Sequence, residues 1–231
     1  TGKEASILAF VDGRTAIPMV SAQDYKRALD GDKGLNTGGM GAVSPAFYYD
    51  EASAAIAEKE IIQRTMDALK KEGIDYKGVL YFGLMLTPKG PKLLEYNVRF
   101  GDPETEVVLP RLKTDLVEIM NSVIDEKLET QKIECKEESA VCVVMASGGY
   151  PERYDKGFEI KGLEKAATNN DITIFHAGTE KSLDKIATAG GRVLVVSALG
   201  KDVETARRKA YQAVTEINFE KAHYRSDIAK K

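Results

Sequence analysis

Leu93-Leu94-Glu95-Tyr96-Asn97-Val98-Arg99-Phe100-Gly101-Asp102-Pro103-Glu104 is the stretch on which the reading of this chain turns. Its first half alternates apolar and polar residues, the period-2 pattern of a half-buried strand. Alternate side chains of a strand share a face, so Glu95, Asn97 and Arg99 are expected to point together while Leu94, Tyr96 and Val98 enter the core. A carboxylate, an amide oxygen and a guanidinium on one face suit a Mg²⁺–phosphate group. The hard oxygens take the cation, which uses one or two protein ligands beside substrate phosphates. The arginine then offsets charge on a transferred phosphoryl group. A solvated polar strand face is the plainer reading of the same residues, and so short a motif leaves both open. Asp102-Pro103 reads as a helix start, an N-cap followed by Pro at N1. Glu104 then serves as a first-turn acid favoured by the helix dipole. Asp102 is equally placed to meet the ammonium group of a small ligand.

Upstream, Val79–Leu86 pairs with Lys92–Val98 around Pro88-Lys89-Gly90-Pro91. Ser6–Val11 and Arg14–Val20 flank Asp12-Gly13, a signal for a type I′ hairpin. Pro18 lacks an N–H and marks that second strand as an edge. Asp50 caps a predicted helix over Glu51–Glu72, with Ala55, Ile62, Met66 and Leu69 on its buried face and Gly73 as its stop. A further helix is expected over Asp115–Glu126. The polar run Glu129–Ser139 lacks a helical period and sets a boundary, giving residues 1–130 and 131–231 as two domains. Beyond it, Ala140–Ser147, Ile172–Ala177 and Arg192–Leu199 read as strands. An amphipathic helix follows Asp202, with Val203, Ala206, Ala210, Ala213 and Ile217 at i, i+3/i+4 spacing. The fold class is α+β.

Leu35-Asn36-Thr37-Gly38-Gly39-Met40-Gly41 is the glycine-rich element. Glycines let backbone N–H groups converge on an anion, although the Gly-Lys-Ser/Thr ending of a Walker A loop is missing; a plain surface loop is the alternative. Just before it, Lys26 and Arg27 offer cations that either reach phosphate or belong to an ordinary charge cluster. His176 and His223 have no nucleophile at a useful spacing and read as structural. Cys135 and Cys142 make neither a disulfide framework nor a C-x-x-C motif and read as inert in a reducing, cytoplasmic protein.

The 231 residues carry 33 Lys+Arg against 36 Asp+Glu, a net charge of −3. That balance argues against broad binding to nucleic acid or an anionic membrane. Hydrophobic residues at 43% support a real core. No run approaches the ~18 apolar residues of a membrane span, and Thr1-Gly2-Lys3-Glu4 opens no secretory leader.

The order of the motifs is more specific than any one of them. Asp24-Tyr25-Lys26-Arg27, then Asn36–Gly41, then Glu95–Glu104 closely resembles the glycinamide ribonucleotide synthetase family of the ATP-grasp superfamily. The likeness continues through Ala146–Pro151, His176–Thr179 and Tyr224–Ile228, so it covers essentially the whole chain. It implies the C-terminal half of an ATP-grasp domain, an antiparallel sheet with helices over residues 1–130, followed by a small α+β domain over 131–231. It implies ligation of glycine to 5-phosphoribosylamine with ATP, through an acyl phosphate, in purine biosynthesis. By position, Glu95 and Asn97 match the family's Mg²⁺ or Mn²⁺ ligands and Arg99 the arginine at the transferred phosphoryl group; Lys26 is taken with Arg99 as a catalytic residue. Glu4 matches an acid near the ATP ribose, while Asn36, Thr37, Gly38, Gly39, Gly41 and Asp102 fall where substrate is held. Gly83 stands where many ATP-grasp enzymes carry a second acid. The family's N-terminal portion, with its lid and adenine contacts, is absent from this chain, so a partner is expected in the missing half and little activity without it. Another ATP-grasp ligase, using bicarbonate or formate, and a non-catalytic scaffold are the competing readings.

Overall fold

The computed structural model describes residues 2–182 and 185–230. They form two compact units, each discontinuous in sequence. The first comprises Thr1–Gln23, Pro45–Gly101 and Arg111–Glu137, and the second Asp24–Ser44, Asp102–Pro110 and Glu138–Lys231.

The first unit is built on a four-stranded antiparallel sheet in the order Ala16–Pro18, Lys3–Asp12, Lys77–Thr87, Gly90–Asn97. The short strand holding Pro18 is indeed an edge, where a missing N–H does no harm. One sheet face buries Ile7, Ala9, Val11, Leu80, Phe82 and Leu84 against Ala57, Ile61, Ile62 and Met66 of the helical run. That run starts where Asp50 accepts the Ser53 N–H at 2.8 Å and ends at Gly73, whose φ of +69° only glycine adopts readily. Its middle differs from expectation: Glu58–Ile62 is a π-helical turn between Glu51–Ala57 and Gln63–Lys71. The wider turn advances the buried face by one residue. Ala57 therefore occupies the core and Ala55 is exposed. The hairpin also differs from a two-residue type I′ turn. Val11 pairs with Ala16, leaving a four-residue loop. Inside it the Asp12 carboxylate accepts the N–H groups of Arg14 (3.0 Å) and Thr15 (2.7 Å), and beyond it that of Leu128 (3.0 Å). Burial works to raise the Asp12 pKa, but these N–H donors outweigh it and hold the carboxyl below its usual value. The helix expected over Asp115–Glu126 is present as Leu116–Ile124, and Asp115 lies outside it as its cap.

Leu94, Tyr96 and Val98 do not enter the core; they are 51%, 47% and 71% exposed. Two features cause this. A bulge opposes Gly83 to Glu95 but Leu84 to Leu93, so Leu94 is the extra residue. The strand is also the sheet edge, paired on one side only. Tyr96 and Val98 instead border an apolar cavity of about 510 Å³ with Ile61, Leu69 and Ile74.

The second unit centres on Ile172–His176, Arg192–Gly200, Ser139–Ser147 and Gly41–Ser44, side by side and antiparallel. Ser139–Ser147 is buried along its whole length. Asp202 caps the helix Val203–Glu216 by accepting the Thr205 N–H at 2.7 Å, and Ala206, Ala210, Ala213 and Val214 bury against the strands. The α+β class and antiparallel sheets are as the sequence indicates. No described helix is long and apolar enough to cross a membrane.

Candidate functional site

In the first unit the candidate residues Glu4, Glu95 and Asn97 lie on the sheet face opposite the helical run. Directly opposed residues of an antiparallel ladder point to the same side. The register Ser6↔Gly83↔Glu95 and Leu8↔Tyr81↔Asn97 therefore places Glu95 and Asn97 on one face, and Glu4, opposite Met85, shares it. Ser6 Oγ and Tyr81 Oη hydrogen-bond at 2.7 Å beneath them. Glu95 and Asn97 have no hydrogen-bond or ion-pair partner among the described residues, so two hard oxygens stand side by side and uncommitted. A Cβ on Gly83 would come within 2.9 Å of Glu95 Cγ, so the missing second acid is also space that the Glu95 side chain uses. Among the described residues no group of three or more His, Cys, Asp or Glu is arranged for a metal. The donor set of one carboxylate and one amide oxygen nevertheless fits Mg²⁺, which draws its remaining ligands from water and phosphates.

Arg99 is placed differently from the alternation rule. The strand ends at Asn97, and Arg99 lies in the following bend, its Nη1 donating to the Phe100 carbonyl at 2.8 Å. Phe100 meets Phe10 edge-on, with centroids 6.4 Å apart. Phe10 lies on the same face as Ser6 and Leu8, so this contact anchors the corner that carries Arg99.

In the second unit the glycine-rich loop has an internal logic. Thr37 donates its N–H (2.7 Å) and Oγ1–H (2.9 Å) to the Lys26 carbonyl and accepts the Gly39 N–H (2.9 Å). Gly38 donates its N–H to Tyr150 Oη at 3.2 Å, and Met40 donates to the Tyr25 carbonyl at 2.8 Å. These N–H groups are spent within the protein, which corrects the expectation of an open anion cradle. Asn36 ends the exposed strand Lys33–Asn36, opposite Arg27, whose Nη1 donates to the Gly34 carbonyl at 2.9 Å. Gly41 opens a buried strand and is structural in its surroundings.

Asp102 does not cap a helix. The helix Thr105–Val108 begins three residues later, with Glu104 at its cap position, and Asp102 instead forms an ion pair with Arg192 at 2.8 Å. Glu106 is close by, with its Oε2 buried and unpartnered. Burial first, and then the Asp102 charge, push its carboxyl up to about 7, against the pull of Arg192. The structure thus brings Gly38, Gly39 and Asp102 together, and separately Glu4, Glu95 and Asn97. Sequence reasoning missed Arg192, Tyr150 and Glu106; the only available signal for Arg192 was the pair Gly190-Gly191 opening its strand.

Each histidine has one hydrogen-bond partner. His176 Nδ1 pairs with Thr179 Oγ1 at 3.0 Å, and His223 Nε2 lies 2.8 Å from the Ala28 carbonyl. Both thiols are free, and burial pushes both of their pKa values up.

Residues 1–105 match the family phosphoribosylglycinamide synthetase, ATP-grasp (A) domain, and residues 140–231 match phosphoribosylglycinamide synthetase, C domain. A phosphoribosylamine–glycine ligase of Caldanaerobacter subterraneus subsp. tengcongensis is 50% identical over 228 residues, 99% of this chain and 54% of that protein. The crystal structure of phosphoribosylamine–glycine ligase from Thermotoga maritima superposes with a TM-score of 0.88 at 38% identity, covering 99% of this chain and 56% of that one. The biotin carboxylase domain of Hydrogenobacter thermophilus 2-oxoglutarate carboxylase shares the fold alone, at 12% identity and TM-score 0.67, covering 96% of this chain and 47% of that one. The chain spans about half the length of the curated relatives it matches.

Proposed function

Because the chain belongs to the phosphoribosylglycinamide synthetase family, we propose that it is part of a longer ATP-dependent ligase that joins glycine to 5-phosphoribosylamine. The observation that carries this reading is the pair of uncommitted oxygens on Glu95 and Asn97, on the sheet face that also bears Glu4. In the proposed reaction a glycine carboxylate oxygen attacks the γ-phosphorus of ATP, and the bond to the ADP oxygen breaks. The phosphoribosylamine nitrogen then attacks the acyl carbon of glycyl phosphate, phosphate leaves, and the nitrogen loses its proton. Such chemistry needs positioning and charge neutralisation more than covalent help from the protein.

Each residue has a task in this scheme. Glu95 and Asn97 hold Mg²⁺ or Mn²⁺, which when bound neutralises phosphate charge. Arg99, kept near the end of the metal strand by the Phe10–Phe100 contact, faces the transferred group. Lys26, placed beside Thr37 by two hydrogen bonds to its carbonyl, supplies a second positive charge. Glu4 binds the ATP ribose, and Asn36, Thr37, Gly38, Gly39 and Asp102 hold the small substrate. Residues 1–130 are the closing part of the ATP-grasp domain and 131–231 a small C-terminal domain. The free thiols fit a cytoplasmic setting.

The test is ADP release by the intact ligase that contains this chain. Release that depends on both glycine and phosphoribosylamine is expected, and release driven by bicarbonate or formate instead would overturn the assignment. No binding of Mg²⁺-ATP to the intact protein would favour a scaffold. The 231-residue chain is expected to form little or no product without the rest of the enzyme.

A further inference from the structure

The glycine loop and Asp102 are joined by a side chain that belongs to neither. Arg192 Nη1 donates to the carbonyls of Gly38 (2.8 Å) and Asp102 (3.0 Å), reaches that of Gly39 at 3.5 Å, and pairs with Asp102 Oδ1 at 2.8 Å. Its two N–H groups are shared among four oxygens, the 3.5 Å contact being the weakest. The guanidinium lies against Gly38, where a Cβ would come within 3.0 Å of Cζ and Nη2. Gly39 is closed in from another side, since a Cβ there would lie 2.3 Å from Pro103 Cδ. The Gly-Gly pair therefore exists for close approach: one glycine admits Arg192, the other Pro103.

The planar guanidinium of Arg192 meets backbone carbonyls and a carboxylate together. It also sets the Asp102 carboxylate against the loop backbone, so the two cannot move independently without breaking these bonds.

We propose that Arg192 is a positioning residue of the substrate pocket, holding the Asp102 carboxylate and the Gly38–Gly39 backbone in the single arrangement that receives an amine-bearing substrate. The identity of that substrate rests on the ligase reading above; the clamp does not. Two measurements separate them. In the 231-residue chain, Arg192→Gln is expected to raise hydrogen exchange at the Gly38 and Gly39 amides about tenfold, the scale of losing one good hydrogen bond. The Val143 and Val144 amides, in the neighbouring buried strand, are expected to stay within about twofold. Arg192→Lys keeps the charge but not the fork and should restore only part of the protection. Unchanged exchange at Gly38 and Gly39, or an equal rise across both sites, would overturn the clamp. In the intact ligase, Arg192→Gln should raise KM for glycine or phosphoribosylamine about tenfold with KM for ATP within about twofold. A fall in kcat with both amine-substrate KM values unchanged would refute the positioning role. A wild-type ligase that ignores glycine would sink the functional reading and leave the exchange result to decide on Arg192.

Discussion

Replacing Gly39 by alanine tests the architecture of the loop, and the size of the effect follows from the backbone and its neighbours. The φ of +113° at Gly39 lies well outside the left-handed basin near +57°, and a residue with a Cβ held in such a region costs about 1–3 kcal/mol. The new methyl group would sit 2.3 Å from Pro103 Cδ, an overlap of the kind that costs about 1–3 kcal/mol when the surroundings yield. Together these give about 4 kcal/mol. Gly73 is the control. Its φ is +69° and a Cβ there meets nothing within 4 Å, so Gly73→Ala should show the left-handed strain by itself, about 1 kcal/mol. Because the chain has two compact units, one global melting curve does not report either cleanly. Native-state hydrogen exchange in urea reads each directly, through the Val141–Ala146 amides of the second unit and the Leu80–Leu84 amides of the first. Gly39→Ala is expected to lower the opening free energy of the second unit by about 4 kcal/mol, and Gly73→Ala that of the first by about 1. If Gly39→Ala costs no more than Gly73→Ala, the Pro103 contact does not constrain the loop and the close-approach argument fails.

Glu95→Gln in the intact ligase should raise the Mg²⁺ concentration for half-maximal rate by about tenfold or more; an unchanged titration would contradict its role as a ligand. Arg225 is buried against Asp227 (2.7 and 2.8 Å), Asp32 (3.0 Å) and the Arg27 carbonyl (3.0 Å), so Arg225→Met should destabilise the second unit by about 3 kcal/mol, read by the same exchange experiment. Burial works to raise the Asp227 pKa, but the Arg225 guanidinium and the Gly31 N–H bring it down to about 2. Lowered from its unfolded value of ~3.9, that carboxyl gives stability that is present above about pH 4 and is lost as pH falls toward 2. Urea unfolding at several acidic pH values should show this loss in wild type and not in Arg225→Met; parallel pH profiles would refute it. Tyr96→Phe removes the 2.8 Å contact with Thr65 Oγ1, which keeps its bond to the Ile61 carbonyl. The first unit should lose less than about 1 kcal/mol, and a larger loss would mean that Tyr96 anchors the edge strand.

Where a rule depends only on neighbours along the chain, the sequence was legible. Asp50 caps its helix, the runs from Asp115 and after Asp202 fold as helices, and Gly73 stops one because it can take a positive φ. The legibility ends where one extra residue enters. The π turn at Glu58–Ile62 displaces Ala55 from the core, and the bulge beside Leu94 breaks the strand alternation. Neither leaves a compositional mark, because both trade ideal local geometry for a better tertiary fit. The ladder between Arg27–Leu29 and Lys33–Asn36 was equally hidden, being short, polar and mostly exposed. On the candidate site, the period-2 rule correctly paired Glu95 with Asn97 but failed at Arg99, because the strand ends two residues earlier.

The glycine loop shows most clearly why a motif and its mechanism can part company. Glycines in a row are compatible with two opposite geometries. In one, the chain turns its N–H groups outward to an anion; in the other, it lets foreign atoms come close enough to use its carbonyls. Composition cannot separate them, since both require only the absence of a Cβ. The partners decide. Here Tyr150 and Thr37 accept the Gly38 and Gly39 N–H groups, while Arg192, 154 residues from Gly38, collects both carbonyls. Arg192 is also 90 residues from Asp102, so no local window of sequence contains the clamp. It arises because the Arg192–Gly200 strand is paired to Ser139–Ser147, which is paired in turn to Gly41–Ser44. The loop's sequence made it a candidate, but what it can hold follows from the sheet that delivers an arginine to it.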